Sequence, residues 1–127
     1  MRASLWGKHL WELGCGRLYD LTLTYGDDIV HSYAGMRSVA LEGRKFLLNG
    51  KSVFQRTVLD QGFYPDGIYT APSDEALVRD IQLSMSCGFN GARLHEKIFE
   101  ERFLYHCDRL GYMVWGEFPN WGLDHSQ

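Results

Sequence analysis

Apolar and polar residues alternate in the first third of the chain, in the pattern of a half-buried sheet. Between Tyr19 and Tyr25 every second residue is apolar, and the residues between them are Asp and Thr. This period of two predicts an antiparallel strand, and the turn residues Gly26-Asp27-Asp28 lead into a second strand over Ile29–Ala34. Because a β-sandwich needs about seven strands, this section is predicted to be only the end of one.

A hairpin is predicted over Gly43–Arg56, after Ser38–Leu41 has led out of the first section. Apolar runs flank Asn49-Gly50 on both sides, and this dipeptide is the strongest short-range hairpin signal. Gly50-Lys51-Ser52 also matches the end of a phosphate-binding P-loop. That motif needs a glycine where Lys45 stands, and it needs a helix where a strand pattern follows. The sequence therefore excludes a nucleotide site of this type.

Strands and helices alternate in the rest of the chain. A strand is predicted over Val53–Leu59, and a loop rich in Gly, Pro and aromatic residues follows it. Ser73 is the expected N-cap of a helix with an apolar stripe, and Gly88 ends that helix. A second strand begins at Phe89, and a second amphipathic helix leads to a third strand over Tyr112–Trp115. This order predicts a parallel sheet with right-handed crossovers.

Polar residues stand at the carboxyl end of each predicted parallel strand. Barrels and open α/β sheets build their active sites at this edge. Five residues are therefore candidates for a binding site there: Asp60, Gln61, Arg93, His95 and Glu117. The charged residues that follow them are predicted to be the solvated start of the second helix: Glu96, Lys97, Glu100, Glu101 and Arg102.

Composition excludes several classes of partner. The chain of 127 residues has a net charge of −3, and no basic face suggests nucleic acid. No apolar run approaches the ~20 residues that span a bilayer, so no membrane partner is expected. The start lacks the pattern of a secretory signal, which slightly favours a cytoplasmic location and leaves the compartment open. Three cysteines without a Cys-x-x-Cys spacing indicate neither a disulfide framework nor a zinc knuckle.

Four stretches, taken in order, resemble glycoside hydrolase family 2, the family of β-galactosidases, β-glucuronidases and β-mannosidases. They cover nearly everything from about Trp11 onward. They are Arg17-Leu18-Tyr19-Asp20-Leu21 with Gly35-Met36-Arg37, Phe46-Leu47-Leu48-Asn49-Gly50-Lys51, Gly88-Phe89-Asn90-Gly91-Ala92-Arg93, and the run from Asp108 to Glu117. In better-known members a His stands three residues after the Arg and precedes Tyr-Pro. Here His95 stands two residues after Arg93 and precedes Glu96-Lys97, so the identity of the sugar is not carried over.

The resemblance implies a fold in two parts, of mixed α/β class. Residues 1–41 are expected to be the C-terminal part of an immunoglobulin-like β-sandwich, and residues 42–127 the N-terminal part of a (β/α)8 TIM barrel. A closed barrel needs roughly 250 residues. The chain is therefore expected to be a segment of a longer protein.

The resemblance also implies the chemistry of the parent protein, which is hydrolysis of β-glycosides. The family works by the retaining mechanism, with one carboxyl group as acid/base and another as nucleophile. The family's acid/base follows an Asn after the fourth barrel strand, its nucleophile follows the seventh, and no Asn-Glu occurs here. No catalytic residue is therefore expected in this chain, which should be inactive alone. Some members bind a divalent cation near the site, but the sequence offers no complete ligand set.

What remains is expected to be part of a sugar pocket, with a carbohydrate as its partner. Arg93 is expected to bind sugar hydroxyls or to keep the nucleophile ionised, and Trp121 to stack on a sugar ring. Each residue has a structural alternative: Arg93 and Glu117 as an ion pair, His95 as part of a wall, Trp121 as packing. The competing function is a non-catalytic carbohydrate-binding or interaction module.

Overall fold

The computed structural model describes residues 8–122 and shows three small sheets and two helices in that range. Residues 1–7 of the first predicted domain and 123–127 of the second lie outside the described residues. The elements are β1 Leu18–Tyr25, β2 Asp28–Gly35, β3 Val39–Glu42, β4 Lys45–Leu48, β5 Lys51–Val53, β6 Thr57–Asp60, α1 Asp74–Ser86, β7 Gly91–Leu94, α2 Glu101–Leu110 and β8 Met113–Gly116. The fold is thus a mixture of sheet and helix.

The first sheet is the antiparallel pair β1–β2, as the alternating pattern predicts. Its register runs from Leu18 opposite Gly35 to Tyr25 opposite Asp28. Gly26 begins the turn with a φ of 59°, a left-handed conformation that glycine adopts without steric cost. Both strands are mostly exposed.

The second sheet has the order β3–β4–β5 and contains the predicted hairpin. Asn49 and Gly50 form its two-residue turn with φ values of 52° and 75°. Positive φ at both positions matches the twist of the flanking strands, which is why Asn-Gly favours this turn. The segment predicted to lead out of the first section is itself a strand, β3. The predicted boundary between residues 41 and 42 falls inside β3, and the division into two domains stays a prediction.

The third sheet is parallel, with the order β6–β7–β8. Helix α1 connects β6 to β7 and helix α2 connects β7 to β8, which confirms the predicted alternation. The single strand predicted over Val53–Leu59 is wrong, because β5 ends at Val53 and β6 begins at Thr57 in a different sheet. Asn90 explains the break: its side chain accepts from Arg56 N at 2.8 Å and donates to Phe54 O at 2.9 Å. These hydrogen bonds to Asn90 take the place of the backbone hydrogen bonds that one continuous strand would form at Phe54 and Arg56.

Both helices pack one face against the parallel sheet. Ser73 caps α1 as predicted, and its Oγ accepts from Ala76 N at 3.3 Å. Such a cap satisfies one of the backbone N–H groups that have no partner within the helix. The core consists of Ala71, Leu77, Ile81, Ala92, Leu94, Phe99, Phe103, Cys107 and Tyr112. Neither α1 nor α2, the helices in the described range, is long and apolar enough to cross a membrane.

The N-terminal segment packs on the end of α2. Trp11 is 2% exposed, and its indole Nε1 donates to Asp108 O at 2.6 Å. The Tyr33 hydroxyl donates to Asp108 Oδ2 at 3.1 Å. Gly111 ends α2 with a φ of 72°, and a Cβ there would lie 2.4 Å from Cys15 N. The close approach therefore requires glycine at this position.

Candidate functional site

The parallel strands end level with one another, so the polar residues after them share one edge of the sheet. Asp60 pairs with Leu94 in register, and Leu94 pairs with Gly116. The backbone continues this alignment by one residue, because His95 N donates to Asp60 O at 2.8 Å. The segments after the three strands are therefore neighbours, as the sequence predicts.

Arg93 and Glu117 form an ion pair across β7 and β8. The guanidinium contacts the carboxylate through two nitrogens, and Arg93 Nη2 donates to Glu117 Oε2 at 3.3 Å. The bond to Arg93 is the main cause that holds the pKa of Glu117 below its ordinary value, and the backbone N–H of Glu96 adds to it. The same bond raises the pKa of Arg93. Arg93 and Glu117 thus form the ion pair that was the structural alternative to a role in binding. Because the Arg93 side chain is 48% exposed, this ion pair is compatible with a role beside a ligand.

A small cavity of about 200 Å³ lies at the same edge of the sheet, and neither Arg93 nor Glu117 belongs to its described lining. Its walls combine aromatic rings with hydrogen-bonding groups, and they are formed by Gln61, Phe63, Tyr69, His95, Glu96 and Trp121. The Trp121 ring stands edge-on to His95, with centroids 5.3 Å apart. Gln61 Nε2 lies 3.5 Å from His95 Nδ1. The structure therefore brings together three of the predicted residues around one space.

Asp60 differs from the other predicted residues in where its side chain lies. Its Oδ1 accepts from Gly62 N at 2.8 Å, and it lines a separate cavity of about 260 Å³ between β6 and α1. Burial raises the pKa of Asp60, and the nearby Asp80 adds to the effect. Its assignment to the same binding site stays a prediction.

The expectation of a solvated helix start is wrong for Glu96 and Lys97. Glu96 has a φ of 52°, and its Oε2 accepts from Asn120 N at 2.7 Å and from Trp121 N at 3.2 Å. The reason is that α2 begins only at Glu101, so Glu96 lies in a loop between elements.

Lys97 holds the loop after β6 in place. Its Nζ donates to Gly62 O at 2.9 Å and to Tyr69 O at 2.7 Å, and it lies over the rings of Tyr69 and Phe99. Burial lowers the pKa of this amine. The two carbonyls stand near either end of the loop that carries Phe63 and Tyr69, whose rings lie 4.6 Å apart.

Three ligand-type side chains come close enough to share a metal ion. His95, Glu96 and Glu117 offer one atom each within 4.8 Å of one another. Nitrogen and carboxylate oxygen suit several divalent cations. Both carboxylates already have donors, Arg93 for Glu117 and two amides for Glu96, so a cation would have to displace those bonds.

Sequence reasoning missed four residues of this site: Phe63, Tyr69, Glu96 and Lys97. The aromatic-rich loop directly after the first parallel strand was a usable signal for the first two. Nothing in the sequence pattern indicates the positive φ of Glu96 or the hydrogen bonds of Lys97 to carbonyls in a distant loop.

Comparison with known proteins finds relatives that are all much longer. No family model matches the chain. It is 31% identical over 114 residues to a β-galactosidase of Lactococcus lactis subsp. lactis, covering 85% of this chain and 11% of that protein. It is 29% identical over 136 residues to β-glucuronidase of Rattus norvegicus, covering 96% of this chain and 19% of the relative. The chain thus spans between a tenth and a fifth of these relatives' length.

The solved structures with a similar fold include a β-glucuronidase and a β-galacturonidase. The β-glucuronidase of Faecalibacterium prausnitzii superposes with a TM-score of 0.81 and 31% identity, over 87% of this chain and 19% of that one. A family 2 glycoside hydrolase, the β-galacturonidase of Eisenbergiella tayi bound to galacturonate, gives a TM-score of 0.82 and 27% identity, over 87% of this chain and 20% of that one. Sequence and fold therefore point to the same group of proteins.

Proposed function

Because the chain resembles a segment of family 2 glycoside hydrolases in both sequence and fold, we propose that it forms part of the sugar-binding face of a β-glycosidase. The observation that carries this proposal is the convergence of Gln61, His95 and Trp121 on one cavity at the carboxyl edge of the parallel sheet. Aromatic rings beside a few hydrogen-bonding groups make up the usual lining of a small-molecule site.

The parallel sheet and its two helices are, in this proposal, the first three βα units of a TIM barrel. An apolar cavity of about 860 Å³ between the second and third sheets supports it. Its lining includes Leu41 and Trp115, which are 78% and 62% exposed. Exposed apolar faces of this extent are normally covered, and the barrel strands of a longer polypeptide would cover them. The antiparallel strands before residue 42 are then the end of a preceding sandwich.

Each side chain at the cavity has a chemical role that suits a sugar. Phe63, Tyr69 and Trp121 present faces on which the C–H side of a pyranose ring can pack. Gln61 supplies both a donor and an acceptor for hydroxyl groups, and His95 supplies one of each in its neutral form. Arg93 adds a fixed positive charge, which favours the ionised form of a nearby carboxyl group.

The bond-breaking groups come, in this proposal, from parts of the enzyme outside residues 8–122. Retaining hydrolysis needs two carboxyl groups about 5–5.5 Å apart. Glu117 is committed to Arg93, and Asp60 accepts from the Gly62 amide. We therefore assign both to binding and positioning, and the reaction to an acid/base and a nucleophile elsewhere.

The test is hydrolysis of aryl β-glycosides by the protein translated from the uninterrupted reading frame that contains these 127 codons. We expect release of the aryl group with retention of configuration, and a roughly 10²-fold lower kcat/KM for Arg93→Gln, because it removes a charged group at the reacting end of the site. Arg79→Gln, an exposed position on α1, is the matched control. Absence of hydrolysis for galactosides, glucuronides and mannosides alike would overturn the proposal.

A second candidate is a carbohydrate-binding module without catalysis. The observation in its favour is that the cavity combines aromatic rings with hydrogen-bonding groups, whereas the chain has no Asn-Glu dipeptide. It predicts binding of sugar by the 127 residues and no hydrolysis by any longer product of the same frame. The hydrolysis assay therefore separates the two candidates.

A further inference from the structure

We propose that Glu96 is a positioning residue, a latch that fastens the segment after β8 to the end of β7 and holds Trp121 against His95. The inference rests on the proposed function to the extent that the cavity so closed takes a sugar. The latch itself concerns only this chain's own contacts.

The carboxylate of Glu96 binds the backbone of the segment that carries Trp121. Its Oε2 accepts from Asn120 N at 2.7 Å and from Trp121 N at 3.2 Å. With its amide nitrogen facing Glu96, the Asn120 side chain adds a donor to Oε1 at 2.7 Å. Hydrogen bonds to an ionised acceptor are stronger than neutral ones, so three donors on one carboxylate make a firm attachment.

The two strand ends hold each other in both directions. The Glu96 side chain binds the backbone after β8, while the side chain of Arg93 binds Glu117 at the start of that segment. Glu96 therefore joins β7 to the segment after β8 at a point beyond the last ladder pair of Leu94 and Gly116.

The backbone of Glu96 is held in a conformation that a glutamate does not favour. Its φ of 52° lies in the left-handed region, which costs a non-glycine residue roughly 1–2 kcal/mol. Glycine would adopt it without that cost. Residues held in such regions cluster at functional sites, and here the side chain of the strained residue makes the contacts that shape the cavity.

Trp121 depends on the latch because it has little packing of its own. It is 79% exposed, and its ring meets His95 edge-on at 5.3 Å. Its place in the cavity wall is set by its backbone N–H, which Glu96 accepts. Loss of the acceptor oxygen of residue 96 should let the ring leave His95 and open the cavity.

The test compares Glu96→Gly with Glu96→Gln in the full 127-residue chain. Glycine suits the positive φ but removes the acceptor, whereas glutamine keeps an acceptor oxygen at the same distance. Proton NMR reports the latch directly, because the Trp121 ring current shifts the His95 ring resonances. We expect these resonances in Glu96→Gly to move to their positions in Trp121→Ala, and in Glu96→Gln to stay near the wild type.

The same samples are titrated with methyl β-glycosides. We expect the dissociation constant to rise about fivefold in Glu96→Gly, which corresponds to the loss of one hydrogen-bonded contact. Asp27→Gly is the matched control, since it removes an exposed carboxylate from a turn far from the cavity. It should leave both readouts unchanged.

Wild-type His95 resonances in Glu96→Gly would overturn the latch, whatever the titrations show, because a purely backbone role would be fulfilled by glycine. If the resonances move as expected but the wild-type chain binds none of the glycosides, the latch is supported and the proposed function is overturned. The two failures are therefore distinguishable.

Discussion

The ion pair of Arg93 and Glu117 joins β7 to β8, and we propose that it also contacts a ligand. The pair crosses from β7 to β8 and fixes two side chains at the edge where the cavity lies. Only part of the guanidinium is used, because the bonds to Glu117 come from Nε and Nη2. Neither of these two bonds uses Nη1, a nitrogen that can donate to a hydroxyl or a carboxylate.

We predict that Arg93→Gln raises the pKa of Glu117 toward its ordinary value, because the guanidinium is the main cause of the lowered one. A carboxyl group with a lowered pKa in the folded state stabilises the fold above its ordinary pKa and loses that contribution as the pH falls through the folded pKa. The stability difference between wild type and Arg93→Gln should therefore be present at neutral pH and vanish in acid. Carboxyl-carbon NMR titration and urea unfolding across pH measure both effects.

Arg79→Gln is the control for that prediction, since it removes one positive charge from an exposed position of α1. It should leave the titration of Glu117 where it is in the wild type. A Glu117 titration that is the same in Arg93→Gln and in the wild type would contradict the assigned cause.

We predict that Lys97→Met frees the loop between β6 and α1. The mutation removes the donors to Gly62 O and Tyr69 O, at a cost of about 1.5–3 kcal/mol for hydrogen bonds from a charged group. Amide hydrogen exchange should accelerate in residues 62–72 and not in α1 or α2. Lys45→Met, an exposed lysine on β4, should leave exchange in the loop unchanged. Uniform acceleration over the whole chain would show a global effect instead.

At the scale of elements, the sequence predicts those features that a single residue type enforces. Asn49-Gly50 forms the hairpin turn because both residues tolerate positive φ, and Ser73 caps α1 through its own hydroxyl. Apolar stripes locate both helices. These signals are local, so they can be read without knowledge of the fold.

Features set by distant contacts could not be predicted in this way. The run from Val53 to Leu59 is apolar enough for one strand, but Asn90, far along the chain, binds Phe54 and Arg56 and divides it. Glu96 follows a strand and is surrounded by charge, which suggests a solvated position. Its role depends on the backbone of Asn120, whose position only the parallel pairing of β7 and β8 determines.

Gly111 gives a prediction about how the N-terminal segment docks on α2. Alanine at a positive φ costs about 1–2 kcal/mol, and at Gly111 a Cβ would also meet Cys15 N at 2.4 Å and Glu12 O at 2.6 Å. We expect Gly111→Ala to lower the free energy of unfolding by about 3 kcal/mol or more. Denaturant unfolding of the wild type and of Gly111→Ala measures this difference in the free energy of unfolding.

Gly43→Ala is the matched control, because Gly43 also has a positive φ, 58°, but has no atom within 4 Å of the added Cβ. Gly43→Ala should lower the free energy of unfolding only by the cost of holding alanine at a positive φ, about 1–2 kcal/mol. Equal losses at the two positions would contradict the close docking of residues 12–15 on the end of α2.

At the scale of the whole molecule, an apolar surface lies between the second and third sheets of the described residues. In the isolated chain Leu41 and Trp115 stay exposed there, so we predict strong binding of the dye ANS to the folded chain. Trp115→Lys should lower ANS fluorescence severalfold, whereas Tyr25→Lys, an 89% exposed position on β1, should not. Weak ANS binding by the wild type would show that this surface is closed and would remove its support for a covering barrel.

The measurement that tests the central claim most directly is a nitrogen-15 NMR titration of the 127-residue chain with methyl β-glycosides. A sugar-binding face at the carboxyl edge of the parallel sheet predicts chemical-shift changes at Gln61, His95, Glu96 and Trp121, and none on the outer faces of α1 and α2. Shift changes confined to the helices, or to β1 and β2, would contradict that assignment. A chain that shows no change at saturating sugar would contradict the claim that these residues form part of a sugar pocket.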